Sequence, residues 1–246
     1  MKNSLKIITI VGDSLSMVRP SEGINYRDTY PFILQNMLGE GYHIVVRNRR
    51  SNDSQIQSHP QHIQDDVLFN DSEYVILHFG IVDCAPRLMT RKETLFLKVV
   101  NIKFITEKYI GFKSRYRRFF TKHFQWTRVS QERFRENMNY LVDSIKNNNA
   151  AQKIIIINIA DTNERSEYRS YGYKRNILKF NNSLKPIVEN NKEYCLLINF
   201  FEESNGSQKL MAQDGMHLLS PGHSFLADKL YKLIINLENE RHQGVV

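Results

Sequence analysis

The chain has 246 residues, 41% of them hydrophobic, and a formal net charge of +8. This length fits one α/β domain with an insertion, and the absence of any apolar run of about 18 residues excludes an ordinary membrane-spanning helix. The first predicted strand begins within about five residues of Met1, which leaves no room for a signal peptide. The two cysteines, Cys84 and Cys195, form no disulfide framework, so we expect a cytoplasmic protein.

Five short runs rich in β-branched and aromatic residues are bounded by polar residues, which is typical of buried parallel strands. In chain order they cover residues 5–11, 43–47, 74–80, 153–159 and 194–200. Helical patterns fall between them, at 30–38, after a predicted N-cap at Ser130, around Ile177–Val188, and after Ser220–Pro221, where Ser220 is the predicted N-cap. The alternation predicts a parallel sheet with helices on both faces and a ligand site beyond the carboxyl ends of the strands.

The third and fourth predicted strands are separated by about seventy residues, far more than a normal crossover needs. Residues 86–128 hold twelve Lys or Arg residues and two acidic residues, so this segment carries +10 and the rest of the chain −2. Its apolar residues follow two helical stripes, namely Leu95, Val99, Ile102 and Tyr109, then Phe112, Tyr116, Phe119, Phe120 and Phe124. We predict a single domain over 1–246 with a helical hairpin inserted at about 88–128, near the edge of the sheet that carries the site.

Four interpretations of this basic insertion remain open. It could bind nucleic acid through phosphates, lie on an anionic membrane surface, or bind an acidic glycan or lipid-linked sugar. It could also be a helical subdomain whose aromatic residues form its own core and whose charges are solvated. Nucleic acid ranks last, because no RNA- or DNA-binding motif accompanies the charge.

Two motifs near the ends of the chain carry the chemistry. Ser14 follows the first strand directly, and His217 is the only one of the eight histidines with an aspartate, Asp214, three positions before it. A serine hydroxyl is a weak nucleophile that needs a base within hydrogen-bond reach, and a carboxylate can orient the imidazole of that base. We therefore predict Ser14 as nucleophile, His217 as base and Asp214 as its orienting group, with His223 as a rival base.

These motifs resemble those of the GDSL, or SGNH, hydrolase family. Gly12-Asp13-Ser14-Leu15 matches the first block, and Asp214-x-x-His217 with the trailing Leu218-Leu219-Ser220-Pro221-Gly222 matches the last. The resemblance spans residues 5–235 apart from the basic insertion. It implies a flavodoxin-like three-layer sandwich with a five-stranded parallel sheet, in a family of esterases, lipases, carbohydrate deacetylases and some acyltransferases.

The middle blocks depart from the family pattern. Gly80-Ile81-Val82-Asp83 keeps the glycine and aspartate of the third block but has Val82 in place of its asparagine, and Asn52 stands where the second block has a glycine. The resemblance implies an oxyanion hole formed by the backbone N–H groups of Ser14 and Asn52, with the Asn52 side-chain amide as a further candidate. Val82 cannot donate, which leaves Arg87 or Asn48 as candidates for the third donor.

Further polar residues near the predicted rim are candidates for binding substrate. They are Asp13, Asp83, Arg87, Arg165 and Tyr168; the last two belong to a loop, 161–173, that suits sugars or anionic ligands or is simply solvated. Cys84 is expected to be a small buried residue rather than a reactive thiol. The pair His59 and His62 is expected on a solvated helix rather than in a metal site, so no metal or organic cofactor is expected.

The resemblance implies a serine hydrolase that cleaves a small acyl ester, and the expected ester is an O-acetyl group on a carbohydrate, a polysaccharide precursor or a lipid-linked sugar. Two alternatives remain open. An O-acetyltransferase would use the same serine, since both activities share an acyl-enzyme. A non-catalytic carbohydrate-binding module of the same fold is favoured by the residues Val82 and Asn52.

Overall fold

A computed structural model describes residues 5–100, 102–205, 207 and 209–244. It contains a five-stranded sheet that is parallel throughout, with the strand order β2-β1-β3-β4-β5. The strands are β1 (Lys6–Gly12), β2 (Tyr42–Asn48), β3 (Tyr74–His78), β4 (Lys153–Ile157) and β5 (Cys195–Ile198). All five predicted strands are confirmed, with ends that differ by at most two residues, and so is the predicted α/β fold class.

Twelve α-helices lie in the described part of the chain. They are α1 (Tyr30–Leu38), α2 (Ser54–Gln57), α3 (Pro60–Asp66), α4 (Ile81–Cys84), α5 (Arg91–Val100), α6 (Lys103–Arg115), α7 (Arg117–Phe124), α8 (Gln131–Asn147), α9 (Glu164–Arg169), α10 (Tyr173–Asn190), α11 (Phe200–Ser204) and α12 (Ser220–His242). Helices α8 and α10 cover one face of the sheet, and α1 and α12 cover the other. The protein therefore has three layers.

Strand β4 shows why the strands read as unbroken apolar runs. Ile154 and Ile156 enter the core under α8 and α10, whereas Ile155 and Ile157 enter the core under α1 and α12. Because side chains alternate between the two faces of a strand, a strand covered on both faces is apolar at most of its positions.

Two predicted helix starts can be compared with the structure. The Ser130 side chain accepts a hydrogen bond from Arg133 N and caps α8, as predicted. The prediction for the last helix was wrong in one detail, because Ser220 is the first residue of α12 and Leu219 is its N-cap. Pro221 lies in the first turn, where its missing N–H leaves no intrahelical bond unmade.

The basic insertion forms three helices, α5, α6 and α7, rather than the two helices of a hairpin. Lys113 explains part of this arrangement, because its buried ammonium donates to Glu93 Oε1 at 2.6 Å and to the Leu88 carbonyl. These bonds fix α6 against the start of α5. No helix in the described residues is both long and apolar enough to cross a membrane.

Candidate active site

Ser14 is presented by a tight turn at the carboxyl end of β1. The Asp13 carboxylate accepts a hydrogen bond from Leu15 N at 2.8 Å and holds this turn. Gly12 allows it, because a Cβ at this position would lie 2.9 Å from Ser16 Oγ and 3.2 Å from the His78 carbonyl oxygen. The chain can therefore pass close to β3 and turn so that Ser14 remains partly exposed at the sheet edge.

Asp214 and His217 lie on the loop between α11 and α12. Asp214 Oδ1 accepts hydrogen bonds from Met216 N and His217 N, both at 3.0 Å, and Oδ2 accepts one from His217 Nδ1 at 2.6 Å. Gly215 has φ +65°, and a Cβ there would lie 2.6 Å from the hydroxyl oxygens of Ser166 and Thr162. A glycine is thus required between the two functional residues.

The fold brings the two ends of the chain together at this edge. Ser14 Oγ lies 2.9 Å from His217 Nε2, across 203 residues of sequence. Because Nδ1 donates to Asp214, the His217 tautomer leaves Nε2 free to accept the Ser14 proton. Partial burial raises the pKa of Asp214, but the hydrogen bonds from the His217 ring and from the two backbone N–H groups outweigh burial and hold that pKa below its usual range.

His223, the rival base, lies inside the protein. Its Nδ1 accepts a hydrogen bond from Tyr30 N at 3.2 Å, and burial lowers the pKa of His223 to about 4. His223 therefore joins α12 to α1 as a neutral residue. His217 is the histidine that contacts Ser14.

Several solved structures share this architecture. A lipase/acylhydrolase from Enterococcus faecalis has a TM-score of 0.65 and 12% sequence identity, covering 93% of this chain and 95% of that chain. TesA has a TM-score of 0.60 and 16% sequence identity, and the match covers 92% of this chain and 97% of TesA. An acetylxylan esterase from Geobacillus stearothermophilus has a TM-score of 0.62 and 15% sequence identity, and the match covers 92% of this chain and 93% of the esterase. No family model matches the sequence, and no curated protein matches it. The chain has the GDSL/SGNH hydrolase fold.

The second-block residue departs from what the GDSL/SGNH pattern implies. The N–H of Asn52 donates to the Arg49 carbonyl at 3.2 Å, and its side-chain Nδ2 donates to the Gly12 carbonyl and to Gln57 Oε1. Asn52 is fully buried, and all three of its donor hydrogens bond acceptors within the protein. None is left to donate to an oxyanion.

Among the expected oxyanion donors, the Ser14 N–H is the one that stays available, since it has no acceptor in the described part of the chain. Val82 packs against the core and has no donor. The Asn48 side chain donates to the Ser16 carbonyl, and Arg87 Nη2 donates to the Val82 carbonyl at 2.7 Å. Asn48 is thus engaged, whereas the buried Arg87 Nε has no hydrogen-bond partner among the described residues.

Asp13 and Asp83 lie beneath the site rather than at its surface, contrary to their expected contact with substrate. Both are fully buried, and Asp83 Oδ1 accepts hydrogen bonds from Ser54 N and Ser54 Oγ. Each carboxyl keeps one oxygen without a partner among the described residues. Burial raises the pKa of Asp13 and of Asp83 to about 7, so each carboxyl holds its proton at mildly acidic pH.

A cavity of about 350 Å³ adjoins Asp214. Arg165, a predicted binding residue, lines this cavity. Tyr168 is exposed, and the Arg118 Cζ atom lies 4.5 Å from the centroid of its ring. Arg117, from the basic insertion, and Tyr173, from the 161–173 segment, also line the cavity. Spacing along the chain could not indicate Arg117, because it belongs to the insertion and only the docking of α7 on α9 brings it here.

One group of potential metal ligands lies among the described residues, formed by Glu22, Asp214 and His217, with one atom from each within 4.8 Å of the others. Arg19 pairs with Glu22 and lies 3.8 Å from Asp214, while His217 bonds Ser14 and Asp214. These atoms already have partners within the site. His59 and His62 lie at the start of α3, a helix as expected, and Cys84 is buried as expected.

Proposed function

We propose that the protein is a serine hydrolase that removes a small acyl group, specifically an O-acetyl group from a carbohydrate. One observation carries the proposal. An unbroken hydrogen-bonded chain runs from Ser14 Oγ to His217 Nε2 (2.9 Å) and from His217 Nδ1 to Asp214 Oδ2 (2.6 Å). A nucleophile, a base and an orienting carboxylate in this order are what acyl transfer through a serine requires.

The reaction follows from this geometry. Ser14 Oγ attacks the ester carbonyl carbon while His217 Nε2 accepts the hydroxyl proton, and Asp214 stabilises the imidazolium that forms. The Ser14 N–H donates to the oxyanion of the tetrahedral intermediate. Its collapse breaks the bond to the sugar oxygen, which leaves with the proton held by His217. A water molecule, deprotonated by His217, then attacks the acetyl-serine, and acetate and free Ser14 result.

The character of the rim supports a polar substrate. Arginine and serine side chains line the cavity beside Asp214, and the described residues around it include few large apolar side chains. Solved structures with this fold include acetylxylan esterases as well as lipases, so an acetylated sugar is among the ester types that the fold accommodates.

Steady-state hydrolysis of p-nitrophenyl acetate and of an acetylated xylooligosaccharide tests this function. The parent protein should release acetate from both, and Ser14→Ala should remove that activity without changing Tm. Ser58→Ala, at a serine that follows α2, is the matched control and should behave like the parent. Turnover that appears only with a sugar acceptor would indicate an acyltransferase, and no turnover with either assay would indicate a binding module.

We also infer that the basic insertion places the enzyme on an anionic membrane surface. The insertion apolar face, as we call it, comprises exposed side chains of α5, of α6 and of Ile102, which lies between these helices. They are Leu95, Phe96, Val99, Ile102, Phe104 and Ile105, with exposed fractions of 49–76%. Folded monomers rarely leave so many large apolar side chains together in water, so this face is suited to a covering partner.

The charges around this face favour a lipid surface as the partner. Arg91, Lys92, Lys103 and Lys108 are exposed on the same two helices. Lys108 Nζ lies 4.2 Å from the centroid of the Phe104 ring, so cationic and apolar groups alternate over short distances. Apolar side chains that enter the interface, flanked by cations that meet anionic headgroups, are typical of helices lying on membranes.

Vesicle co-sedimentation tests this inference. The parent should bind vesicles containing phosphatidylglycerol more tightly than neutral phosphatidylcholine vesicles, and binding should weaken in salt. Phe96→Ser/Val99→Ser/Phe104→Ser should abolish binding, whereas Phe69→Ser, at a comparably exposed phenylalanine outside the insertion, should not. Equal binding by the triple variant and the parent would overturn the inference. So would a dimer that forms through this face without vesicles.

A further inference from the structure

We propose that the cavity beside Asp214 is a subsite for an anionic group of the substrate, a carboxylate or a phosphate, bound by Arg117, Arg165 and Arg169. The inference rests on the proposed hydrolase activity for its role in catalysis. The subsite itself rests on the charge, burial and unmet hydrogen bonds of the cavity, which a binding experiment can measure without any turnover.

The cavity is formed where the insertion meets the domain. Its walls come from the end of α4, from α7, from α9 and the residues after it, and from the loop that carries Asp214 and Met216. Its volume of about 350 Å³ is within the range of small-molecule pockets, roughly 300–1,000 Å³. A sugar ring or a single charged substituent fits this volume.

Positive charge dominates the lining. Arg117 comes from α7, and Arg165 and Arg169 come from α9. In the described part of the chain their hydrogen bonds go to neutral groups, with Arg117 bonding Ser170 Oγ at 2.6 Å and the Pro86 carbonyl at 2.9 Å. Arg165 bonds Gln213 Oε1 at 3.2 Å. The guanidinium groups thus have no carboxylate partner of their own among the described residues.

These cations also act on one another. Burial lowers the pKa of Arg117, and the positive charge of Arg169 lowers it further. Asp214 is the one acidic side chain among the described lining residues, and its carboxylate oxygens already accept three hydrogen bonds from Met216 and His217. A ligand with a negative charge would reduce the repulsion between the guanidinium groups beyond what Asp214 provides.

A second, independent observation is the hydroxyl of Tyr173. Tyr173 lines the cavity, is 3% exposed, and its hydroxyl has no hydrogen-bond partner among the described residues. Burial raises the pKa of this hydroxyl well above its ordinary value, so it remains a donor. A buried donor without an acceptor is unfavourable, and an oxygen of a bound carboxylate or phosphate would accept a hydrogen bond from it.

The subsite is fixed relative to the reacting groups. Ser166 Oγ, on α9, donates to the Asp214 carbonyl at 2.7 Å, and Asn163 Nδ2 donates to the carbonyls of Ala212 and Gln213. Helix α9 is therefore bonded to the loop that positions His217. An anionic group held by Arg165 and Arg169 would set the orientation of the sugar whose ester lies at Ser14, which is how binding away from the reacting bond raises specificity.

A matched pair of substrates tests the role in catalysis. An O-acetylated glucuronoside and its methyl ester differ in one negative charge, and the parent should have a KM about tenfold lower for the free acid, which corresponds to ~1.4 kcal/mol. Arg165→Gln/Arg169→Gln should remove this preference by raising KM for the free acid to that of the methyl ester. Arg133→Gln/Arg135→Gln, on α8, removes the same charge elsewhere and should keep the preference.

Calorimetric titration of Ser14→Ala with glucuronate and with inorganic phosphate gives a readout without catalysis. Both ions should bind, and binding should be lost in Arg165→Gln/Arg169→Gln but not in the α8 control. Binding of one ion alone identifies its chemistry as that of the natural substituent. Absence of binding together with equal KM values for the acid and its ester would overturn the subsite, while acetate release would still support the hydrolase. Binding without any ester turnover would retain the subsite and refute the hydrolase.

Discussion

Helix α8 and helix α5 carry similar apolar patterns, yet their side chains lie in opposite environments. Phe134, Met138 and Leu141 on α8 are buried against the sheet. Leu95 and Val99 on α5 are more than 60% exposed. Helical spacing therefore identifies which face of a helix is apolar, but the layer that covers the face decides whether it becomes core. The sheet covers α8, and no described residue of the chain covers the α5 face.

The same contrast holds for polar groups. At the sheet edge, Ser14, His217 and Asp214 are joined by short hydrogen bonds that depend on each other. On the insertion, most cations are exposed and Lys113 is a buried exception. The first region should respond to single changes with large effects on turnover, whereas the second should respond with effects on docking and local stability.

The largest expected effect follows His217→Ala. Loss of the base leaves Ser14 protonated, and turnover of p-nitrophenyl acetate should fall by about 10⁴-fold or more at unchanged Tm. His223→Gln is the control, because His223 is buried and bonds Tyr30 N. That change should lower Tm and leave kcat of the folded protein nearly intact. The reverse pattern would show that His223 is the base.

Asp214→Asn should have the next largest effect. An amide at this position can accept from backbone N–H groups but disfavours the His217 tautomer that bonds Ser14, so kcat should fall by up to about 10⁴-fold. Because the triad acts as a unit, the double change Asp214→Asn/His217→Ala should be little worse than His217→Ala alone. Additive losses, measured by steady-state kinetics, would show that the two residues act separately.

A change at Lys113 tests the insertion. Lys113→Met removes the ammonium that bonds Glu93 and Leu88 O and should destabilise α5–α6 by about 1–3 kcal/mol. Limited proteolysis should then cut within 91–115 faster, with kcat for p-nitrophenyl acetate within about twofold of the parent. Lys108→Met, at an exposed lysine of the same helix, is the control. A matching loss of turnover would indicate that the two regions are coupled.

The smallest expected effect is a pH dependence. Burial raises the pKa of Asp83 to about 7, so the folded protein keeps a proton that the unfolded chain releases above about pH 4. This contribution to stability is complete below pH 4 and is lost as pH rises through 7. Asp83→Asn should therefore gain Tm relative to the parent between pH 4.5 and pH 8, by about 3 °C or more. Asp143→Asn, at an exposed carboxylate, should show no such trend.

The strands and the Ser14, Asp214 and His217 motifs could be predicted because each depends on local information. A strand covered on both faces is mostly apolar, and the Asp214–His217 spacing is set by one turn. The role of Asn52 could not be predicted, because it depends on Gln57 and on the Gly12 carbonyl, forty residues away. The burial of Asp83 and the position of Arg117 likewise depend on how segments distant in sequence pack together.

The central claim is that Ser14 is an activated nucleophile, and covalent labelling tests it most directly. A fluorophosphonate probe should add one label to the parent, and peptide mass mapping should place it on Ser14. Ser14→Ala should not be labelled, His217→Ala should be labelled far more slowly, and Phe96→Ser/Val99→Ser/Phe104→Ser should be labelled at the parent rate. An unlabelled parent, or a label on another serine, would contradict this account of the site.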